Sequence, residues 1–265
     1  MTPGNSGSVI LKTEAVALQI RPFANTSHIV TWLVPERGLL TTSIRGACRT
    51  KSAFLGQYDL GYTCELLYYA RERDGIHIAR ECTPLERHDR LRSDWRACLA
   101  ALYCCDLLAR VAESGPAAGD LYQLLQSALA RLSEEGADAG LLLWFEMRLL
   151  LLLGLEPDLN GCPHCLDNGS ATLRFVVAEG RVACQRCLSG ERQGVTFGIA
   201  PAGAAALRRA AGSAEPPRAL FAPFSAAARL ALRRFLGLFM RYHLDLPLEN
   251  RGIAWEACQP DTSDV

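Results

Sequence analysis

The chain has 265 residues and a mass of 28.9 kDa, so two modules, or one domain with insertions, are expected. A hydrophobic content of 49% with 21% charge supplies a sizeable core and excludes wholesale disorder, and no uninterrupted apolar stretch reaches the roughly 20 residues that span a bilayer. Lys+Arg and Asp+Glu each total 28, and a zero net charge excludes the strong basic field of a typical nucleic-acid binder unless the charge is segregated along the chain.

Residues 8 to 82 consist of short runs rich in Val, Ile, Thr, Trp and Tyr: Val9 to Lys12, Ala15 to Ile20, His28 to Val34, Leu39 to Ile44, Tyr62 to Tyr69 and Ile76 to Arg80. Turn residues separate them at Asn25-Thr26-Ser27, Pro35 to Gly38 and Asp74-Gly75, the pattern of a small antiparallel barrel or sandwich. The first 80 residues hold nine basic and six acidic side chains. Only Lys12 and Lys51 are lysines, so almost all positive charge is guanidinium, which pairs with phosphate in bidentate fashion. Arg37 sits at a turn, and Arg45, Arg49 and Lys51 follow the Leu39 to Ile44 run. A small barrel with a basic loop and rings such as Trp32 and Phe54 suits single-stranded nucleic acid, where guanidinium groups track phosphates and bases stack on aromatics. The competing reading makes Trp32 a core residue and the arginines ordinary solvated surface.

From Ser93 the period becomes helical, with Trp95, Leu99, Leu102, Tyr103, Leu107 and Val111 recurring up to a stop near Ser114-Gly115-Pro116. Leu121, Leu124, Leu125, Ala128, Leu129 and Leu132 form a second stripe, with Asp120 as N-cap or first-turn acid. Leu141 to Leu155 is apolar on nearly all sides except at Glu146 and Arg148, as expected at the buried centre of a bundle. Residues 81 to 160 carry seven basic and thirteen acidic groups, an acidic middle between mildly basic ends.

An insert follows Glu156-Pro157. Cys162-Pro163-His164-Cys165 and Cys184-Gln185-Arg186-Cys187 give two C-x2-C knuckles separated by eighteen residues. This spacing turns four thiolates toward one cation and predicts a structural zinc site with no open coordination position. Leu173, Phe175 and Val177, then Glu179-Gly180 and Val182, predict a hairpin carrying the second knuckle, with His164 a bystander. Cys64, Cys98, Cys104 and Cys105 read as small core residues, while Cys48, Cys82 and Cys258 have no evident activating neighbour. With eleven cysteines and no signal-peptide pattern across Met1 to Gly7, a reducing, cytoplasmic compartment is expected.

Helices resume over Pro201 to Ala211 and from Ser225, an N-cap, through His243. Leu232, Phe235, Leu236, Phe239 and Met240 line the apolar side of the latter helix, and Arg229, Arg233, Arg234 and Arg241 occupy the rest. The tail beyond Ala257 is polar and expected to fray. No P-loop, GxGxxG, HExxH or GxSxG motif occurs, and the five histidines are scattered, so nothing in the sequence nominates an active site.

In order and spacing these parts resemble the RecO family of bacterial recombination mediator proteins. The matching stretches are Val9 to Lys12, Glu36-Arg37-Gly38-Leu39, Ile44-Arg45-Gly46-Ala47 with Lys51-Ser52, and Glu146 to Leu150 with Leu153-Gly154 and Pro157. The four cysteines, Phe235, Tyr242-His243-Leu244 and Arg251 complete the series. Asn25 to His28 departs from the family's usual Gly-Glu pair, and Leu248 to Arg251 from its Lys-Ser-Arg triplet. The resemblance implies an α+β multidomain protein: an OB-fold β-barrel (1–82), a helical bundle in two parts (83–159 and 196–257), an inserted four-Cys zinc-binding module (160–195) and a flexible tail (258–265).

The same resemblance implies a non-enzymatic, nucleoid-associated protein of DNA repair and recombination. Such a protein binds single- and double-stranded DNA, anneals complementary strands and acts with RecR to help RecA replace single-strand-binding protein (SSB). Arg37, Arg45, Arg49 and Lys51 are then expected at DNA, Cys162, Cys165, Cys184 and Cys187 on one structural zinc, and Arg229, Arg233 and Arg234 at the acidic, Phe-ended SSB tail. Two alternatives remain open at this level: a scaffold that binds the SSB tail without DNA binding by the barrel, and a zinc-ribbon DNA-binding regulator.

Overall fold

The computed structural model describes residues 9–71, 75–112, 115–162, 165, 173–176, 181–188, 196–247 and 249–258. The chain divides into two compact units, Met1–Gly136 and Ala137–Val265.

In the first unit, β1 (Ile10–Phe23), β2 (Ser27–Val34), β3 (Gly38–Ile44), β4 (Thr63–Tyr69) and β5 (Ile76–Glu86) close a barrel in the order β1-β2-β3-β5-β4. The runs Val9 to Lys12 and Ala15 to Ile20 turn out to be one strand. The first half of β1 pairs with β4 and its second half with β2, and a register shift between Ala17 and Gln19 absorbs the bend. Polar Thr13 and Glu14 therefore mark a solvated stretch of strand rather than a turn. The barrel is also not purely antiparallel, because β5 leaves its hairpin with β4 and closes the ring by pairing parallel to β3 over Thr41 to Ser43.

Alternation decides what fills the barrel. Val30, Trp32 and Val34 of β2 point inward with Leu40 and Ile44 of β3, and inward Thr42 is satisfied because the Trp32 Nε1–H donates to its Oγ1 at 2.9 Å. Trp32 has no exposed surface, which settles its role as a core residue. Val16 and Leu33 face each other across β1 and β2 and point out of the barrel, yet both are fully buried. The cover comes from α2 (Trp95–Val111), packed on β1 and β2, and α3 (Ala118–Glu135), packed on β2 and β3.

The short helix α1 (Arg90–Ser93) precedes α2, whose N-cap Asp94 accepts the backbone N–H groups of Arg96 and Ala97. On α3, Asp120 takes the first-turn place, and Gln126 exchanges hydrogen bonds with Thr63 of β4 and donates to the Tyr122 hydroxyl. His88, between β5 and α1, is buried at positive φ (51°), and its Nε2 has no hydrogen-bond partner among the described residues. Burial lowers its pKa, with Glu86 opposing. The unfolded state thus binds the proton more tightly than the native state, so stability falls as pH drops below the ordinary histidine value of about 6.5. His88→Asn, which tolerates the left-handed backbone, is expected to lose less stability between pH 7.5 and 5.5 than the parent. Equal shifts of the urea midpoint in the two proteins would show that His88 carries none of this dependence.

The second unit begins with α4 (Ala139–Leu152), capped by Asp138 at the Gly140 N–H. Its residues from Gly140 to Met147 are all buried, as the all-round apolar pattern anticipates. Next come β6 (Leu173–Val176), β7 (Arg181–Cys184), α5 (Gln185–Leu188), β8 (Thr196–Ile199), α6 (Pro201–Gly212), α7 (Ala226–Leu244) and α8 (Glu249–Ala257). Both α6 and α7 pack on α4. Ser225 caps α7 at the Ala228 N–H, and the stripe Leu232, Phe235, Leu236, Phe239 and Met240 is buried.

The polar interruption in α4 has a function in packing. Glu146 is fully buried and accepts two 2.8 Å hydrogen bonds from the Arg251 guanidinium of α8, and a 3.0 Å bond from the Trp255 indole N–H. Gly237 of α7 makes room, since a Cβ there would fall 2.5 Å from Arg251 Nη1. This bidentate pair joins helices through residues 105 positions apart.

Candidate nucleic-acid cleft and metal centre

The β2–β3 hairpin separates the basic residues of the barrel. Register runs from Val34↔Gly38 at one end to His28↔Ile44 at the other, so Arg37 belongs to the first end and Arg45 and Arg49 to the second. Arg37 lies near His77, whose pKa is lowered by burial and then by that guanidinium. Arg45 and Arg49 line a cleft of about 450 Å³ with Arg71, the hydroxyl residues Thr26, Ser27 and Ser43, and apolar Phe23, Ile29 and Ile76. Gly46 adopts φ 69°, and a Cβ there would sit 3.3 Å from Arg49 Cδ, so the glycine lets Arg49 fold back over the loop. Arg45, Arg49 and Lys51 are exposed. Phe23 is 55% exposed and supplies an aromatic surface in the same cleft as these guanidinium groups.

The two C-x2-C knuckles converge. The sulfurs of Cys162, Cys165, Cys184 and Cys187 all lie within 4.8 Å of one another, and Cys165 Sγ is 3.6 Å from Cys184 Sγ. A disulfide needs about 2.05 Å, whereas zinc–sulfur bonds of about 2.3 Å in a tetrahedron set sulfur–sulfur edges of roughly 3.8 Å. The donor set therefore fits a tetrahedral thiolate-binding cation. Burial, then the thiols of Cys165, Cys162 and Cys184, pushes the Cys187 thiol up to about 12; a bound cation would reverse this by stabilising thiolates directly. Arg186 Nη2 is 3.6 Å from Cys165 Sγ, placed to offset the negative charge of a four-thiolate centre.

The β6–β7 pairing is the expected hairpin, with Cys184 opposite Leu173. Val177, Glu179-Gly180, Pro163 and His164 lie outside the described residues. The strand β8, which the sequence pattern does not predict, adds to the far side of β6. Phe175 of β6 is fully buried, with its ring 5.4 Å from Phe235 and 5.3 Å from Phe239 of α7. The module thus borrows its apolar core from the helical unit.

A second cleft, of about 650 Å³, opens between α7 and α8. It is lined by Arg233, Arg234 and Arg241, one carboxylate residue, Glu249, and apolar Phe197, Leu238 and Pro247, and Arg251 is at its wall. Arg233 donates to the Gly252 carbonyl at 3.2 Å and contacts Glu256, while Arg234 and Arg241 are exposed. Arg229 instead donates to the Phe224 carbonyl at 2.9 Å and does not line the cleft. No helix among the described residues is long and apolar enough to cross a membrane.

Comparison with known proteins agrees with these parts in both units. The family model described as Recombination protein O N terminal matches residues 9–88, and that described as Recombination protein O C terminal matches residues 92–252. The chain belongs to the RecO family. Among its relatives are three proteins named DNA repair protein RecO. That of Nitratidesulfovibrio vulgaris is 28% identical over 244 residues, covering 89% of this chain and 96% of the relative. That of Myxococcus xanthus is 27% identical over 239 residues (89% and 93%), and that of Alkaliphilus metalliredigens 29% over 181 residues (68% and 72%).

Within this RecO-family chain, sequence reasoning singled out Arg45, Arg49 and the four cysteines, which the structure gathers into one cleft and one cluster. It missed Phe23, Arg71 and the Glu146–Arg251–Trp255 network. The only local trace of Phe23 is its place just before the Asn25-Thr26-Ser27 turn, and for Glu146 it is a charge within an apolar helix.

Proposed function

We propose that this RecO-family protein of DNA repair and recombination is a non-enzymatic mediator. It binds single- and double-stranded DNA through the barrel, anneals complementary strands and acts with RecR to load RecA onto SSB-coated DNA. The observation that carries the DNA reading is the cleft that sets Arg45, Arg49 and exposed Phe23 side by side: guanidinium groups hold the phosphates while a base stacks on the ring. Arg37, at the other end of the hairpin, and Lys51, beyond the loop, extend the basic track. Charge reversal of Arg45 and Arg49 together is expected to weaken single-strand binding and to flatten its salt dependence by roughly 0.7 in log–log slope for each phosphate no longer neutralised. Phe23→Ala should weaken binding with the salt slope preserved. A double reversal that leaves both affinity and slope unchanged would place the DNA site elsewhere.

The metal in this reading is one zinc per chain, held by Cys162, Cys165, Cys184 and Cys187 and structural in role. Four thiolates leave no position for water or substrate. The inner ring of the module, packed on Phe235 and Phe239, acts as a staple and not as a reader of DNA bases.

A second reading concerns a partner and rests on the α7–α8 cleft. Its apolar floor and arginine rim suit an acidic peptide ending in an aromatic residue, the chemistry of the SSB tail. Within it Arg234 and Arg241 offer exposed cations, Arg233 is shared with Glu256, and Arg229 contributes to folding. Arg234→Glu with Arg241→Glu is expected to reduce affinity for a fluorescent SSB-tail peptide by roughly tenfold or more. An unchanged affinity would remove the cleft as the docking place.

A further inference from the structure

Cys48 is the one exposed thiol among the chain's eleven cysteines. Folding brings it to a histidine twenty residues earlier, with Cys48 Sγ 3.2 Å from His28 Nε2 and His28 Nδ1 2.6 Å from the Tyr58 hydroxyl. The thiol is fixed in place by its own backbone, since the Cys48 N–H donates to the Thr26 carbonyl at 3.1 Å and the Gly46 N–H to Ser27 Oγ at 3.3 Å. His28 begins the inward-packed part of β2, and its ring meets Tyr58 edge-on with centroids 6.0 Å apart. Burial, then Cys48, Cys82 and Asp59, raises the Tyr58 pKa, so the phenol keeps its proton and its oxygen is available as an acceptor. An imidazolium at position 28 would donate Nδ1–H to that oxygen and Nε2–H to a thiolate, so the thiol proton has a place to go. Two donors do not make a metal site, and among the described residues no third ligand joins them.

The surroundings select the reagent. Arg45 and Arg49 flank Cys48 in the loop and line the adjacent cleft, and no acidic residue occurs between Glu36 and Asp59. We propose that Cys48 is a thiol–disulfide exchange site for an anionic low-molecular-weight disulfide, with His28 as its proton partner. The thiol proton passes to His28 Nε2, and the Cys48 thiolate attacks one sulfur of the disulfide. A bond forms between Cys48 Sγ and that sulfur as the reagent's own S–S bond breaks. The electron pair leaves with the other half as a thiolate, which takes the proton from His28. Cys48 is oxidised to a mixed disulfide, and half of the reagent is reduced to a thiol. The product places carboxylate charge beside Arg45 and Arg49.

The test uses the full chain purified without chelator, oxidised glutathione as probe, and peptide mapping by mass spectrometry after acid quench. Cys48 is expected to be modified faster than the half-exposed Cys98 by roughly tenfold or more. His28→Asn should remove that advantage while leaving Cys98 unchanged, and the cationic disulfide cystamine should react at Cys48 more slowly than oxidised glutathione. Equal rates at Cys48 and Cys98, or a Cys48 rate independent of His28, overturn the proposal. Should His28→Asn fail to fold, Tyr58→Phe keeps the ring and removes the acceptor oxygen; an unchanged Cys48 rate in that variant also overturns the relay. An effect of the adduct on DNA affinity would rest on the barrel being the DNA site. An adduct that forms at Cys48 yet leaves single-strand affinity intact would contradict that DNA reading and leave the exchange site standing.

Discussion

With the proposed zinc as the tie between the two knuckles, replacing Cys184 with serine is expected to abolish metal binding and with it the order of the β6–β7 module. Cys184 ends β7 and is almost fully buried, and it stands 3.6 Å from Cys165 Sγ, so it connects the hairpin to the first knuckle. A serine hydroxyl does not ionise near neutral pH and is a poor replacement for a thiolate. In small zinc-finger peptides the apparent metal-binding free energy is about 10 to 16 kcal/mol and appears almost entirely as folding free energy. Here the loss is bounded by the stability of the unit that depends on it, about 5 to 15 kcal/mol for a typical domain. The β6–β7–β8 sheet meets α7 through Phe175, so losing the module exposes Phe235 and Phe239 as well. Three results are expected together: metal content falling from about one per chain toward zero, tryptic cleavage appearing between residues 160 and 195, and a lower thermal midpoint. A chelator added to the parent should reproduce all three. A Cys184→Ser protein that keeps its protease resistance and midpoint would show that the module stands without the cation.

Glu146→Ala is the second large effect. The carboxylate has no exposed surface and holds both Arg251 and the Trp255 indole. Removing it takes the buried carboxylate away from the Arg251 guanidinium and from the Trp255 indole N–H. Breaking such a buried pair from one side costs about 3 to 5 kcal/mol, even where the pair itself adds little net stability. Arg251 cannot swing away cheaply, because its Nη1 lies against Gly237 of α7. α8 is therefore expected to detach first, which would open the α7–α8 cleft that contains Arg251 and Gly252. The check is the urea midpoint with the Trp255 fluorescence change, compared with the double variant Glu146→Leu, Arg251→Met. A double variant close to the parent, with the single variant strongly destabilised, is the pattern of a pair that fixes helix position rather than adding net stability. A single variant of near-parent stability would contradict the assignment.

On the proposed reading, the two clefts reconcile a zero net charge with a role in DNA repair. Guanidinium groups are gathered locally, at Arg45 and Arg49 on the barrel and at Arg233, Arg234 and Arg241 on α7, while acidic residues concentrate between 81 and 160. The resulting field is short-ranged, because at physiological salt screening acts over about 8 Å. If the barrel is the DNA site as proposed, affinity is accordingly expected to be moderate and salt-sensitive.

The features legible in the sequence are those whose geometry is local. Two C-x2-C spacings sufficed to name the four sulfurs that meet within 4.8 Å, because a knuckle presents both thiolates whatever surrounds it. The α7 stripe from Leu232 to Met240 and its Ser225 cap were equally plain, since a period of 3.6 sets which residues share a face. The strand runs identified a barrel, but not that two of them were one bent strand or that β5 closes parallel to β3. Both depend on which edges meet.

Tertiary structure alone decided the rest. Trp32 and Phe23 are both aromatic residues in barrel strands, and only the register and the closure of the ring put the first in the core and the second at the mouth of a cleft. Glu146 and Arg251 are 105 residues apart, and the Cys48–His28–Tyr58 contact joins three segments with no shared motif. Periodicity and spacing carry information over a few residues, set by the backbone's own repeat. Pairings across the chain are fixed by how buried faces fit together, which no short window of sequence contains.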